Sequence, residues 1–321
     1  EGGRPLPLNR SVLDESVDPR LTVELDRFNL ESNLRHGPLR GRPFAFLADE
    51  MRGALDEMTR AAAVCGAGVA MVGILPTLTQ ADLEGDVMTE APRYRALSAS
   101  LRRLRQEPFQ LQIRGEDELS LHCHDVSYEG AATSLQLHLR VAPNEFAGLY
   151  NAVQIATPLV LAASGNSPTF LGRRLWEETR VALFKQAVDH RKERGRDGEL
   201  PRVFFGSGWV EAADELFREN VRRHAILLPM MYDEDPAQAL GEGLVPTLRE
   251  LRLHQGTVWR WNRAIFDPAE GGHLRIEMRV LPAGPTVADM VANAAFQIGL
   301  ALSLAAEISE WKEQLRFDEV H

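Results

Sequence analysis

Hydrophobic and polar side chains alternate without a break over residues 273–281. Leu274, Ile276, Met278 and Val280 point one way and Arg275, Glu277 and Arg279 the other, the period-two pattern of a strand with one apolar face. Residues 134–141 repeat the pattern, with Leu135, Leu137, Leu139 and Val141 against Ser134, Gln136, His138 and Arg140. Further strands are expected over 23–34, where Asn29, Glu31 and Asn33 alternate with Phe28 and Leu30, and over 69–75, 119–126 and 257–263. The strands 119–126 and 134–141 read as neighbours linked through Glu129-Gly130.

Between the strands the period changes. Phe46, Met51, Leu55 and Met58 recur at helical spacing and predict a helix over 44–65. Others are expected over 94–106 with a solvated arginine face, over 145–164 with a stop at Gly165-Asn166-Ser167-Pro168, and over 173–191 and 211–223. A closing helix over 287–314 takes Thr286 as its N-cap. Residues 191–200 read as a charged, mobile loop, and 233–243 as a second loop. Strands and helices mix without regular βαβ alternation, which predicts an α+β fold with a largely antiparallel sheet and helices on its apolar face. The polar face, with Glu31, Gln136, His138, Arg260, Arg275 and Glu277, would line a cleft. No linker divides residues 1–321, which read as one domain.

Composition narrows the partners. The net charge of -10 disfavours general nucleic-acid binding, which draws on excess Lys and Arg. Hydrophobic content of 44% supports a sizeable core. Cys65 and Cys123 have no metal-ligand spacing, so a zinc site is not expected, and two buried thiols in a cytoplasmic chain are the simpler reading. No stretch reads as long and apolar enough to span a bilayer; 61–75 and 146–163 are the nearest, interrupted by glycines or by Asn151, Gln154 and Thr157.

Two carboxylates and an imidazole on separate strands, Glu31, Glu277 and His138, suit a Mg²⁺ or Mn²⁺ site. Arg260, Arg263, Arg275 and Arg279 would neutralise phosphate oxygens beside it, the task phosphoryl transfer sets. No P-loop, GxGxxG or GxSxG motif occurs, so a bound nucleotide would have to lie on the sheet itself.

Four stretches together resemble glutamate–cysteine ligase family 2. They are Phe28-Asn29-Leu30-Glu31-Ser32-Asn33; Thr133-Ser134-Leu135-Gln136-Leu137-His138; Ala163-Ser164-Gly165-Asn166-Ser167-Pro168 with Gly172 and Trp176 to Arg180 after it; and Trp259-Arg260-Trp261-Asn262-Arg263 followed by Leu274-Arg275-Ile276-Glu277-Met278-Arg279. The resemblance implies a glutamine synthetase/guanido kinase-like catalytic domain, in which a curved antiparallel sheet forms a funnel. It implies ATP-dependent joining of a carboxylate to an amine through an acyl-phosphate, with amino acids as substrates and a homo-oligomer as a possible assembly. By that resemblance Glu31, His138 and Glu277 would be metal ligands and Arg275 and Arg260 would contact phosphates. Arg263, Arg279 and Gln136 would attend the nucleotide, and Asn166 and Arg180 the substrate. The family's usual opening strand, Gly-x-Glu-x-Glu, is expected to be missing, since the chain opens at Glu1-Gly2-Gly3-Arg4-Pro5. Residues 281–286 also differ from the usual sequence there. A catalytically inactive relative that binds nucleotide or an amino acid is the alternative expectation.

Overall fold

The best-patterned stretch becomes the centre of the largest sheet. The computed structural model describes residues 2–191 and 200–320. In chain order its elements are α1 (Asn9–Asp14), β1 (Leu21–Val23), β2 (Leu30–Ser32), α2 (Pro43–Val64), α3 (Pro92–Arg105), β3 (Phe109–Arg114), β4 (Glu118–Cys123), α4 (Ser127–Gly130), β5 (Leu137–Val141) and α5 (Phe146–Ser164). Then come β6 (Thr169–Phe170), β7 (Arg173–Arg174), α6 (Thr179–Ala187), β8 (Val203–Phe204), α7 (Ala213–Arg223), α8 (Pro236–Gly241) and α9 (Arg249–Gln255). The chain closes with β9 (Trp259–Arg260), β10 (Asn262–Asp267), β11 (His273–Met278), α10 (Val287–Ala305), α11 (Ile308–Gln314) and α12 (Phe317–Val320).

The fold is α+β, as the pattern predicts. β11 lies between β10 and β5, antiparallel to both. Ile276 and Met278 are fully buried on the apolar face, with α5 behind them. The Tyr150 hydroxyl of α5 donates to the Asn262 carbonyl at 2.9 Å, fixing helix to sheet. Pairing runs on past β5 and β11 through Leu135 N–Leu281 O and Ala283 N–Thr133 O bonds of 3.0 and 3.3 Å, with Ser134 bridged to Pro282 between them. The other described strands form two-stranded sheets.

α5 and α10 are each long and apolar enough to cross a bilayer by length and composition. The sequence reading predicted α10 as a helix but did not count it among the stretches apolar enough to cross, and it counted the polar residues of α5 as interruptions. Those residues are internal ties instead: Asn151 exchanges bonds of 2.8 and 3.0 Å with Val210, and Gln154 donates to Phe205 O at 2.8 Å. Thr157 accepts from Asn262 at 2.8 Å. A buried polar group with its partners in place is compatible with a packed core.

Other expectations change for local reasons. The run 23–34 folds back on itself as β1 and β2, because Asp26–Asn29 forms a turn whose carbonyls accept from the buried Asn9 side chain at 3.1 and 3.2 Å. Residues 69–75 make only an isolated bridge, Ile74 to Ala132. The strand at 119–126 pairs with β3, which the sequence reading missed, and not with β5. Residues 173–178 are not helical: Leu171 and Gly172, at φ +49° and +73°, turn β6 into β7 and delay the helix to Thr179. The 233–243 loop contains α8, capped by Asp235. The run 257–263 breaks at Trp261, where β9 pairs in parallel with β8 and β10 turns to β11. The closing helix divides after Ala305. Arg105 is buried rather than solvated, bonded to the carbonyls of Pro108, Asp189 and Arg191. Cys123 is buried, but Cys65 is half-exposed, and both are free thiols. Most of the expected 191–200 loop, residues 192–199, lies outside the described residues.

Candidate functional site

Register brings the first group together. Glu277 on β11 faces His138 on β5 and Arg263 on β10. The Arg263 fork donates to both Glu277 oxygens, at 2.6 and 3.0 Å. Arg279 adds a bond of 3.3 Å, and His138 Nε2 stands 3.5 Å away. Burial alone would raise the Glu277 carboxyl, but Arg263 and Arg279 outweigh it and hold it at about 2. His138 is pushed below its ordinary value by burial, with Glu277 opposing and Arg275, Arg263 and Arg279 adding to the fall, so its neutral form is favoured. Gln136 accepts from Arg279 at 3.2 Å.

A second group of acids lies at the inner end of Arg279. Burial and the neighbouring Glu24 push the Glu31 carboxyl up to about 7, and Arg93 and Arg279 oppose this. Glu129 is pushed up to about 8, again by burial and by Glu24, with Arg279 and Arg180 opposing. Asp26 is fully buried and neither of its oxygens has a hydrogen-bond partner. Its carboxyl is raised well above the usual range by burial and by Glu129, Asp125 and Glu24. Arg279 therefore stands between crowded carboxylates and the ion-paired Glu277.

Beyond Arg279 the site is tied to the chain's turns. Arg180, fully buried, pairs with Glu178 at 3.0 Å and donates to Val280 O at 3.1 Å. Asn166 donates to Ala283 O at 2.9 Å. Gly73 must be a glycine here, since a Cβ would stand 2.7 Å from the Asn166 carbonyl.

Not every expected member joins. Arg275 lies at the open end of the polar face, paired with Asp267 at 3.0 Å. Arg260 is 1% exposed on the helical side, bonded to Glu219 and Asn220 and stacked on Phe204 at 4.4 Å. The break at Trp261 turns it away from the face that holds Arg263. Glu31 sits with Glu24, across Arg279 from His138 and Glu277. Among the described residues no three His, Cys, Asp or Glu side chains are grouped closely enough to hold a metal ion.

The sequence reading missed Glu24, Asp26, Glu129 and Arg93. A signal for two of them was present: Thr22-Val23-Glu24-Leu25-Asp26 places two acids two residues apart between apolar neighbours. That is the spacing of Gly-x-Glu-x-Glu, with Thr for Gly and Asp for the second Glu. Glu129 carried no such signal, because a turn acid is ordinarily solvated.

The fold and the site define a class first: an α+β protein whose antiparallel sheet sets paired arginines beside crowded, buried carboxylates on one polar face. Residues 23–317 match the family model of glutamate-cysteine ligase family 2, and the chain belongs to that family. Membership implies ligase chemistry that joins a carboxylate to an amine. No curated protein matches the chain.

Proposed function

We propose that the protein is an ATP- and Mg²⁺-dependent ligase that activates an amino acid carboxylate as an acyl-phosphate and passes it to the amine of a second amino acid. The γ-carboxylate of glutamate with cysteine or a related amino acid is the pair closest to the family's name. The observation that carries the reading, beside family membership, is Asp26: two buried oxygens with no protein partner, next to Glu24, Glu31 and Glu129. A buried carboxyl without a partner, crowded by other acids, fits a hard divalent cation, for which oxygen is the preferred donor. Among the described residues Glu24, Asp26, Glu31 and Glu129 are not grouped as a ready-made ion site, so to hold Mg²⁺, or Mn²⁺ in its place, they would have to draw closer together, with Glu277 and His138 on the far side of Arg279. The ion would screen the charge of the phosphates and of the transferring phosphoryl group.

The chain's own residues would do the rest. Glu277 fixes Arg263 and Arg279 in one orientation, and guanidinium groups so fixed can meet developing negative charge without reorganising. Arg279, with an unpartnered buried Nε, would face the transferring group. Asn166 and Arg180 order the turns at the substrate end. The carboxylate takes the γ-phosphoryl group and releases ADP; the amine then displaces phosphate and forms the amide.

The test is ADP release from Mg²⁺, ATP and pairs of amino acids, with Glu277→Gln alongside. Release that requires both a carboxylate and an amine, and is lost in the variant, is the expected result. Mg·ATP binding without release under any pair would instead favour the inactive relative.

A further inference from the structure

Away from the polar face, the β3–β4 hairpin is closed along one edge and open along the other. On the β3 edge, the Gln112 N–H donates to Gln186 Oε1 of α6 at 2.7 Å, and Gln186 Nε2 donates to the Gln112 carbonyl at 3.0 Å. The Gln112 N–H therefore points away from β4. Directly opposed residues of an antiparallel ladder either exchange both backbone bonds or turn both outward. Ser120 lies opposite Gln112, so its N–H and C=O point out of the hairpin along the β4 edge. Two-residue spacing sends those of Glu118 and His122 the same way. Among the described residues no backbone group pairs with them across that edge. Only the tip is covered, where Asp117 N donates to Arg174 O of β7 at 2.7 Å.

A cleft of about 550 Å³ lies along the open stretch, lined by Glu118 to Leu121, by residues 76–80 and by the 171–173 turn. That is the size of a small-ligand cleft. None of its lining residues belongs to the acid and arginine site described above. Arg173 stands at the Asp117 end, next to Arg174. The other charges there are matched: Arg174 meets Glu116 at 2.9 Å and Arg114 meets Glu118 at 3.1 Å. Arg173 has no such partner among the described residues, so the spare charge of the cleft is positive.

We infer that the open edge of β4 takes an extended peptide as a third strand, antiparallel to β4, with its C-terminal carboxylate on Arg173. The direction follows from the ends. β4 runs from Glu118 to Cys123, and Arg173 is beside its start, so an antiparallel strand finishes there. Ser120 and His122 would supply backbone bonds to any sequence, and the guanidinium would select the carboxylate. The inference is independent of the ligase reading.

The experiment titrates the full chain into a labelled pool of acetylated pentapeptides of valine, isoleucine, threonine and phenylalanine, each ending in a free carboxylate, and reads fluorescence anisotropy. Arg173→Gln and Ser120→Pro are the variants. Arg173 is exposed, and the Ser120 N–H that proline removes is not used by the β3 ladder. The tightest peptides should weaken about tenfold in Arg173→Gln, and as much in wild type when their C-termini are amidated. Ser120→Pro should weaken them severalfold. If that variant loses the hairpin, N-methylation of the peptide backbone tests the same bonds from the ligand's side and should abolish binding. No peptide binding below about 1 mM, or affinities within twofold of wild type in Arg173→Gln, would overturn the inference. So would N-acetylated single amino acids that bind as tightly as the pentapeptides, which would leave a small-carboxylate pocket only. A dimer lost in Ser120→Pro, with no peptide bound by the wild type, would give the edge to a second copy of the chain instead.

Discussion

At the scale of single residues, the same side-chain type plays opposite parts according to its neighbours. Glu277 is ionised because two arginines surround it, whereas Asp26 is buried without any. A carboxyl whose folded value lies above its unfolded one loses stability as pH rises past the unfolded value. Asp26→Asn should therefore raise the Tm at pH 7 in a chelator by about 2 °C. It should also abolish the further rise that Mg²⁺ produces in the wild type; a variant that keeps that rise would remove Asp26 from the cation's surroundings. His224 is the reverse case. It is buried beside Arg202, Arg260 and two histidines, both ring nitrogens lack partners, and burial with those cations depresses it to about 3. The unfolded chain takes up this proton below about 6.5 and the folded chain does not until about 3, so stability falls as pH drops through that window. Urea unfolding from pH 7 to 4 should show a shallower decline in His224→Phe than in wild type, since titrating carboxylates are common to both. Arg260 belongs to the same buried group. Arg260→Ala should destabilise by about 3 kcal/mol, the scale of a broken buried ion pair, while Mg·ATP affinity stays within twofold.

At the scale of elements, the strands that alternate cleanly were legible and the short ones were not. β5 and β11 bury one whole face, and a one-residue slip would expose it, so their pattern is unambiguous. Thr286 was equally legible: its hydroxyl accepts from Asp289 N at 3.2 Å at the start of α10. Thr286→Ala should cost about 1 kcal/mol in calorimetric unfolding. A neutral result would mean that packing on α5 alone sets the helix start. β1, β2, β6 and β7 were missed or fused because each is two or three residues long, set by a turn or by Asn9, which lies far away in sequence. Alternation cannot announce a strand that ends before one full period is complete.

At the scale of the whole molecule, ligands should bind the folded state alone. Mg·ATP at a hundred times its Kd should then stabilise the protein by about 2.7 kcal/mol, read as a shift in thermal unfolding that EDTA reverses. No shift at saturating nucleotide would remove the nucleotide from this fold. The gathering of Glu24, Asp26, Glu31 and Glu129 from the N-terminal hairpin and α4, against Arg279 from the far end of the chain, is a property of this scale only.

The sequence by itself determined the α+β class, the polar face of β5 and β11 and the cap of α10, because alternation and capping are local and the strand pattern is enforced by a buried face. Only the tertiary structure decided that Arg260 turns inward, that Glu277 meets His138, that Arg140 and Arg275 stand opposed with each paired to its own acid, and that Asp26 is buried without a partner. Burial and charge proximity arise from contacts between residues far apart in the chain, and no local period encodes them.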